Sequence, residues 1–509
     1  MTTGYDSAGE PSALTGTGSY VDSLSYTSLG QPLQYKMGTS AEPAYITDSY
    51  DPQTARVAEQ DTQTGTASTS VDDLHYTYDH VGNVLSEADT PSGSSSATDV
   101  QCFQYDYLGR MTQAWAQGST GCAATPSASA EGGAAPYWES YGYAATGDMT
   151  GITSTTPAGA VTTTADTYPA AGAVQPHGIS TQKVTTSAGS TTTSYGYDTA
   201  GHLTALTSTA QNEALTWNDE GQLEQAAITP SGGSAKNTTY IYDAGSTLLL
   251  TADPTAKTLY LGDEEITENT GTSVVTGTRY YSLGGTAVAA RTGASTLAYL
   301  AGDQQGTSSV AVDSGTLAVT HRYYDPYGST RGTAQPAWPE DEKGFVGGAD
   351  DTATGLTDLG AREYQPGTGS FISPDPLLSP YQPQDLNAYA YAADNPATNS
   401  DPSGAMMITG GASGCVGSAQ ADLTCNSKAQ AEEAQSNDPK GKTSPPADPP
   451  GTGSRLICNG DGQCASIDYW HKHPENPPRS AGPRPPPNPN SAAAGDPTGT
   501  SGAGQRCAR

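Results

Sequence analysis

The groups with the widest chemical reach in this sequence are the aspartates of a recurring phrase and a short cysteine–histidine island near the C-terminus. The phrase runs aromatic, Asp, two variable residues, Gly, one residue, aliphatic. It reads Tyr78-Asp79 with Gly82 and Val84, Tyr105-Asp106 with Gly109 and Met111, and Tyr197-Asp198 with Gly201 and Leu203. Trp217-Asn218 with Gly221 and Leu223 is a close variant, Tyr143 has Ala144 in the Asp position, and Tyr242-Asp243 has its Gly245 one residue early. Such carboxylates could ligate a metal or close turns. Calcium takes roughly six to eight oxygens, and each copy brings one carboxylate, so no metal and no cofactor is expected at them. Closing a turn asks less: Asp accepts backbone amides two or three residues on, and Gly three residues later supplies a positive φ. The second group is RLICNGDGQCASIDYWHKHPENPP (455–478). Cys458 and Cys464 flank a hairpin-like Asn-Gly-Asp-Gly, while His471 and His473 stand near Trp470 and Asp468. The spacing fits no zinc pattern. A small disulfide-bearing module, a nuclease-like effector and a degenerate tail are its three readings.

Turns of this kind must be carried on strands. The aromatic and the aliphatic of each phrase fall on the two arms of a hairpin, and Thr/Ser-rich runs such as Thr191-Thr192-Thr193-Ser194 join one hairpin to the next. One hairpin is marginal in water, so the copies must stack to bury their faces and cover their edges. The fold class expected is all-β, with stacked antiparallel hairpins nearly throughout residues 70–330. Gly82, Gly109 and Gly201 are expected at positive φ. The composition agrees: 34% hydrophobic residues, 60 Gly, 36 Pro, and 30 Tyr against 3 Phe. Tyrosine suits half-buried strands because its ring is apolar and its tip polar.

A formal charge of −32 disfavours nucleic acid and anionic lipid as partners. No apolar run approaches the length of a membrane-spanning helix, and the N-terminal MTTGYDSAGE has no signal-peptide pattern. That start reads like the middle of a repeat, which implies an upstream segment or a partner chain. Of seven cysteines, five (Cys415, Cys425, Cys458, Cys464, Cys507) lie in the tail. The odd total leaves at least one unpaired or intermolecular.

The phrase resembles the YD repeat of RHS proteins, of the C component of insecticidal toxin complexes and of teneurins. The resemblance tightens from about residue 300: GDQQGTSSVAVD (302–313), RYYDPYGSTRG (322–332), GFVGGADDTATGLTDLGAREYQPGTGSFISPDPL (344–377) and LNAYAYAADNPATNSDPSG (386–404) are similar to successive segments of the RHS-associated core. It implies three parts. Residues 1–301 are YD repeats forming part of a spiralling shell, 302–404 are the associated core acting as a plug, and 405–509 are a variable Pro/Gly-rich tail, disordered or a small module.

In cleaving relatives the core performs aspartyl-type self-proteolysis, and the matching residues here are Arg362 and Asp375, with the bond at Ala405–Met406. Three positions depart from the family pattern: Gln365 for Asp, Ser370 for Arg and Ala405 for Leu. The function implied is a shell that encloses or presents its own tail as cargo, secreted or at the cell surface, with an immunity protein as a further partner. A teneurin-like adhesion or glycan-recognition protein and a truncated, degenerate fragment are the alternatives.

Overall fold

The structure is a computed structural model of the chain. It describes residues 1–39, 41–65, 69–92, 97–119, 121–294, 296–332, 338, 343–377 and 386–409, together with the backbone of 456–458 and 464–466. The chain divides into two units, Met1–Glu433 and Ala434–Arg509. In the second, Leu456–Cys458 pairs antiparallel with Cys464–Ser466, setting Cys458 opposite Cys464. The tail residues Asp468, Trp470, His471 and His473 lie outside the described residues.

The first unit is a meander. From Thr2–Tyr5 to Val319–His321, 27 strands form one sheet, each antiparallel to its neighbour in sequence. No α-helix occurs among the described residues. Each turn phrase closes as its chemistry requires. Asp79 Oδ1 accepts the amides of Val81, Gly82 and Asn83 at 2.9, 2.7 and 2.8 Å. Asp198 Oδ1 accepts those of Ala200, Gly201 and His202 at 2.8, 2.8 and 2.9 Å, and Asp106 Oδ1 those of Leu108 and Arg110 at 2.8 and 3.1 Å. Gly82, Gly109 and Gly201 have φ of 102°, 81° and 100°. In the copy whose glycine comes early, Ser246 takes the left-handed position instead, with φ 67°.

The phrase's aromatic does more than line a wet sheet. Tyr105 Oη donates to the Val84 carbonyl at 2.5 Å, Tyr143 Oη to that of Met111 at 2.7 Å, and Tyr168 Oη to that of Met149 at 2.7 Å. Trp217 Nε1 reaches the Leu203 carbonyl at 2.7 Å. In each case the acceptor belongs to the aliphatic residue that ends the preceding phrase. The ring is half-buried and its polar tip ties one hairpin to the next.

One face of the strip carries the core. Tyr76, Val84, Phe103, Met111, Tyr141 and Met149 pack against Tyr327, Phe345, Leu359, Tyr364, Phe371 and Tyr391 from the segment that follows the sheet. Further along, Leu203, Leu215, Leu223 and Tyr240 cover Leu356 and Ile372 of the same segment. The strip also doubles back. Leu14, Val21, Leu24 and Tyr35 pack on Tyr281, Leu283, Val288 and Val310, with Tyr20 and Tyr281 stacked at 3.8 Å. A disulfide joins Cys102, on a strand, to Cys122 in the connection that follows the next strand.

Tyr105→Phe should cost about 1–3 kcal/mol in urea unfolding, because it strands a buried carbonyl. Ser246→Gly should gain about 1 kcal/mol by relieving a left-handed residue. Stability should also fall as pH rises. Burial pushes the Asp48 carboxyl up to about 6 and that of Asp394 to about 7. Those of Glu87 and Asp325 go to about 8, each by burial first and then by neighbouring carboxylates. Between about pH 4 and 8 the unfolded chain has released protons that the folded chain keeps, so folding weakens with rising pH. The turn aspartates act oppositely: burial pushes Asp79 up, but hydrogen bonds from Asn83, Gly82 and Val81 outweigh it and leave its pKa lowered. Their contribution is lost only as pH falls through those low values. Calorimetry in EDTA-containing buffer should give a higher melting temperature near pH 5 than near pH 8, and the reverse order would contradict this account.

Candidate functional site

The residues after the sheet fold into short pieces that end at one guanidinium. Arg362 precedes the strand Glu363–Gln365, and its side chain is 2% exposed. It meets Asp375 Oδ2 at 3.1 Å and Asp401 Oδ2 at 3.0 Å. It also donates from Nη1 to the Ala388 carbonyl at 3.1 Å and from Nε to the Gly404 carbonyl. Its Cζ lies 3.5 Å from the Phe371 ring centroid, so an aromatic face covers what the carboxylates leave. Burial pulls the arginine pKa down, and Asp401 and Asp375 pull it back up. The ion is held by contacts on every side.

Asp401 organises the residues that follow it. The stretch Asp401-Pro402-Ser403-Gly404 is a turn of the same Asp-x-x-Gly frame as the repeats, with Gly404 N donating to Asp401 O at 3.2 Å. Asp401 Oδ1 accepts the amides of Ala405 at 3.1 Å and Met406 at 3.0 Å, and the Ser403 hydroxyl at 3.1 Å. Met406 N also lies 3.1 Å from Ser403 Oγ. Gly404 has φ 62°, and a Cβ there would come 2.8 Å from both Arg362 N and Leu359 O. Only glycine lets the chain pass so close to the arginine.

The structure therefore sets Arg362 against Asp375 and against the Gly404 carbonyl, while the Ala405 and Met406 amides are held by Asp401. It adds Asp401 as the second carboxylate on the guanidinium, a role the sequence reading did not assign. The signal was present in the Asp-x-x-Gly spacing. Gln365 is elsewhere: its amide oxygen takes the Thr368 hydroxyl at 3.2 Å. Its departure from Asp thus removes no carboxylate from Arg362. Ser370 pairs with Gln365 across the hairpin, its hydroxyl 2.8 Å from that of Thr368. Glu363 follows Arg362 directly, so along a strand it points to the other face. There it is buried and takes the Tyr242 hydroxyl at 3.3 Å. Burial and the nearby Asp358 and Asp351 push its carboxyl far above the usual range.

The described residues thus form an antiparallel strip of tyrosine-linked hairpins packed on a core segment that ends in a clamped Asp-Pro-Ser-Gly turn. The Teneurin YD-shell family model matches residues 268–397. The toxin subunit YenC1 of Yersinia entomophaga is 26% identical over 433 residues, covering 75% of this chain and 42% of that protein. Among solved structures, a TcdB2-TccC3-Cdc42 crystal structure superposes with a TM-score of 0.64 at 24% identity, over 79% of this chain and 20% of that one. A Photorhabdus luminescens Tc holotoxin pore gives 0.64 at 23% identity, over 80% and 20%. The chain is thus similar to YD-shell proteins over residues 268–397 and, over most of its length, to a subunit of a toxin complex. It spans less than half the length of the toxin subunit it matches.

Arg362→Met should be the most destructive change at this site, costing about 3–5 kcal/mol, because it leaves Asp401 buried with no counter-charge. Asp375, 26% exposed, can turn to water, so Asp375→Asn should cost about 1 kcal/mol or less. Urea melts of the two variants would check the order, and equal losses would mean that the arginine is not the central contact.

Proposed function

We propose that this chain is the closing part of a shell that carries the residues after Gly404 as cargo and frees them by cutting the Ala405–Met406 bond. In this reading residues 1–301 are wall and 302–404 are plug, and an upstream segment or partner chain completes the enclosure. The matched relatives support a multi-chain setting, since one is a toxin subunit and the solved structures join TcdB2 to TccC3. A secreted or surface location goes with that setting. Among the described residues no helix is long and apolar enough to cross a membrane.

The observation that carries the cleavage reading is the Met406 nitrogen, already 3.0 Å from a carboxylate that shares its arginine with a second one. Asp375 has the more open side chain and can reach water, so it is the base. Water oxygen bonds to the Ala405 carbonyl carbon while its proton passes to Asp375. The C–N bond breaks as Asp375 hands that proton to the Met406 nitrogen, leaving a carboxyl on Ala405 and an amine on Met406. Arg362 stays paired with Asp401 throughout and with Asp375 whenever Asp375 is ionised. The turn that grips the Ala405 and Met406 amides holds the bond in place.

Intact-mass analysis with N-terminal sequencing tests this. The purified parent should yield a fragment beginning at Met406, and Asp375→Asn and Asp401→Asn should remain full length. A folded parent that stays full length would sink the proposal. A fragment beginning at Ala405 would show that the bond whose carbonyl Arg362 holds is the one cut.

A further inference from the structure

Away from the arginine, the strip and the core segment enclose a second polar site, a cavity of about 80 Å³. Six carboxylates line it: Asp72, Glu87, Asp89, Asp99, Asp303 and Asp325. Most are accounted for. Asp99 pairs with Arg331 at 2.7 Å. Asp303 and Asp325 close turns, accepting amides at 2.8–3.0 Å. Glu87 takes the Gln101 amide at 3.3 Å, and Asp89 takes one backbone amide, that of Asp73, at 2.8 Å. The other arginine on the wall, Arg322, donates to the carbonyls of Ser308 and Lys343.

Asp72 is different. It is 4% exposed, and among the described residues it has no hydrogen-bond or ion-pair partner. Directly across the sheet from it, and hence on the same face, stands Thr62. Thr62 is 1% exposed and its hydroxyl also has no partner. Two unsatisfied oxygens from adjacent strands are costly to bury without a ligand. The donor atoms of Asp72, Asp89 and His321 all lie within 4.8 Å of one another. They come from three strands, Thr69–Tyr78, Val84–Asp89 and Val319–His321.

We propose that Asp72, Asp89 and His321 hold a divalent cation of the Mn²⁺ or Zn²⁺ type, which ties the repeat strip to the strand that leads into the core segment. Two carboxylate oxygens and one imidazole nitrogen suit such borderline ions. A water occupies about 30 Å³, so the cavity has room for an ion with water completing its shell. The ion supplies the positive charge that this wall lacks on the Asp72 side. Without it, burial and then mutual repulsion hold the Asp72 carboxyl far above its usual range, and burial pushes that of Asp89 up to about 7. The turn aspartates first considered as ligands are a separate matter, since their oxygens are committed to backbone amides.

The test uses the full chain, stripped with EDTA and exchanged into chelator-free buffer at moderate salt. Mn²⁺ is added and the free aquo ion is followed by electron paramagnetic resonance. One Mn²⁺ per chain should be taken up, with affinity reduced about tenfold or more in Asp72→Asn and in His321→Gln. Mn²⁺ should raise the melting temperature of the parent. Asp72→Asn should melt higher than the parent in EDTA near neutral pH, because the folded chain no longer has to keep a proton on that carboxyl, yet gain nothing from Mn²⁺. Should Asp72→Asn fail to fold, His321→Gln decides alone. Absence of stoichiometric uptake, or uptake unchanged in the folded variants, overturns the proposal and leaves protonated carboxyls as the resting state of the cavity. Neither result depends on whether the chain cuts itself.

Discussion

The hydrogen bond from one repeat's aromatic to the carbonyl of the previous repeat's aliphatic is the contact on which the strip depends. A meander this long has no crossover connection to lock distant strands together, so each hairpin must fix its own angle to the last. Backbone ladders alone leave a sheet free to slide or twist. The link at Tyr105, Tyr143, Tyr168 and Trp217 removes that freedom by pinning a ring and a backbone atom at once. At these positions it favours tyrosine over phenylalanine, which fills nearly the same volume and carries no donor. Trp217 serves because its indole N–H is also a donor.

The turn that makes the hairpins is reused for the core segment. Asp303 with Gly306 and Asp325 with Gly328 repeat the carboxylate-to-amide closure, the glycines having φ of 90° and 89°. The Asp401–Gly404 turn is a third instance. The last two instances follow the sheet, and there the device turns the chain inward against tyrosines. Tyr389 shows the result, because its hydroxyl reaches the Gly201 carbonyl of a repeat turn at 2.7 Å.

Much of this was legible in the residues, for a physical reason. Local turn chemistry is written within five positions, so Asp79, Gly82, Asp198 and Gly201 announced their geometry. Pairing in sequence order follows from connections that are mostly short, the links from Gln117 to Trp138 and from Thr167 to Thr181 being the long ones. What spacing cannot show is which distant side chains converge. Asp401 meets Arg362 across 39 residues, and the departure of Gln365 from the family's Asp does not show which face of its strand the residue takes. Strand alternation sends it elsewhere. The Cys102–Cys122 bridge was missed as well, because cysteines 20 residues apart carry no periodic signal. Asp72 and His321 lie 249 positions apart in the chain (321 minus 72), and neither belongs to a repeated phrase.

A chain with 53 acidic and 21 basic residues must ration its positive charge. Where an arginine is buried beside the core segment, its one guanidinium serves several groups. Arg331 takes Asp99 together with the carbonyls of Tyr324 and Ala135. Arg362 takes two carboxylates and two carbonyls. Each arginine is thereby fixed by more partners than it can lose singly, which makes these points rigid. That rigidity suits the cleavage proposed for the Ala405–Met406 bond. It also sharpens the contrast with Asp72 and Asp89, buried on the same face with no guanidinium of their own. A composition this acidic can stabilise such a place by keeping protons on the carboxyls or by admitting a cation. An orphaned threonine hydroxyl and an imidazole at ligand distance favour the cation.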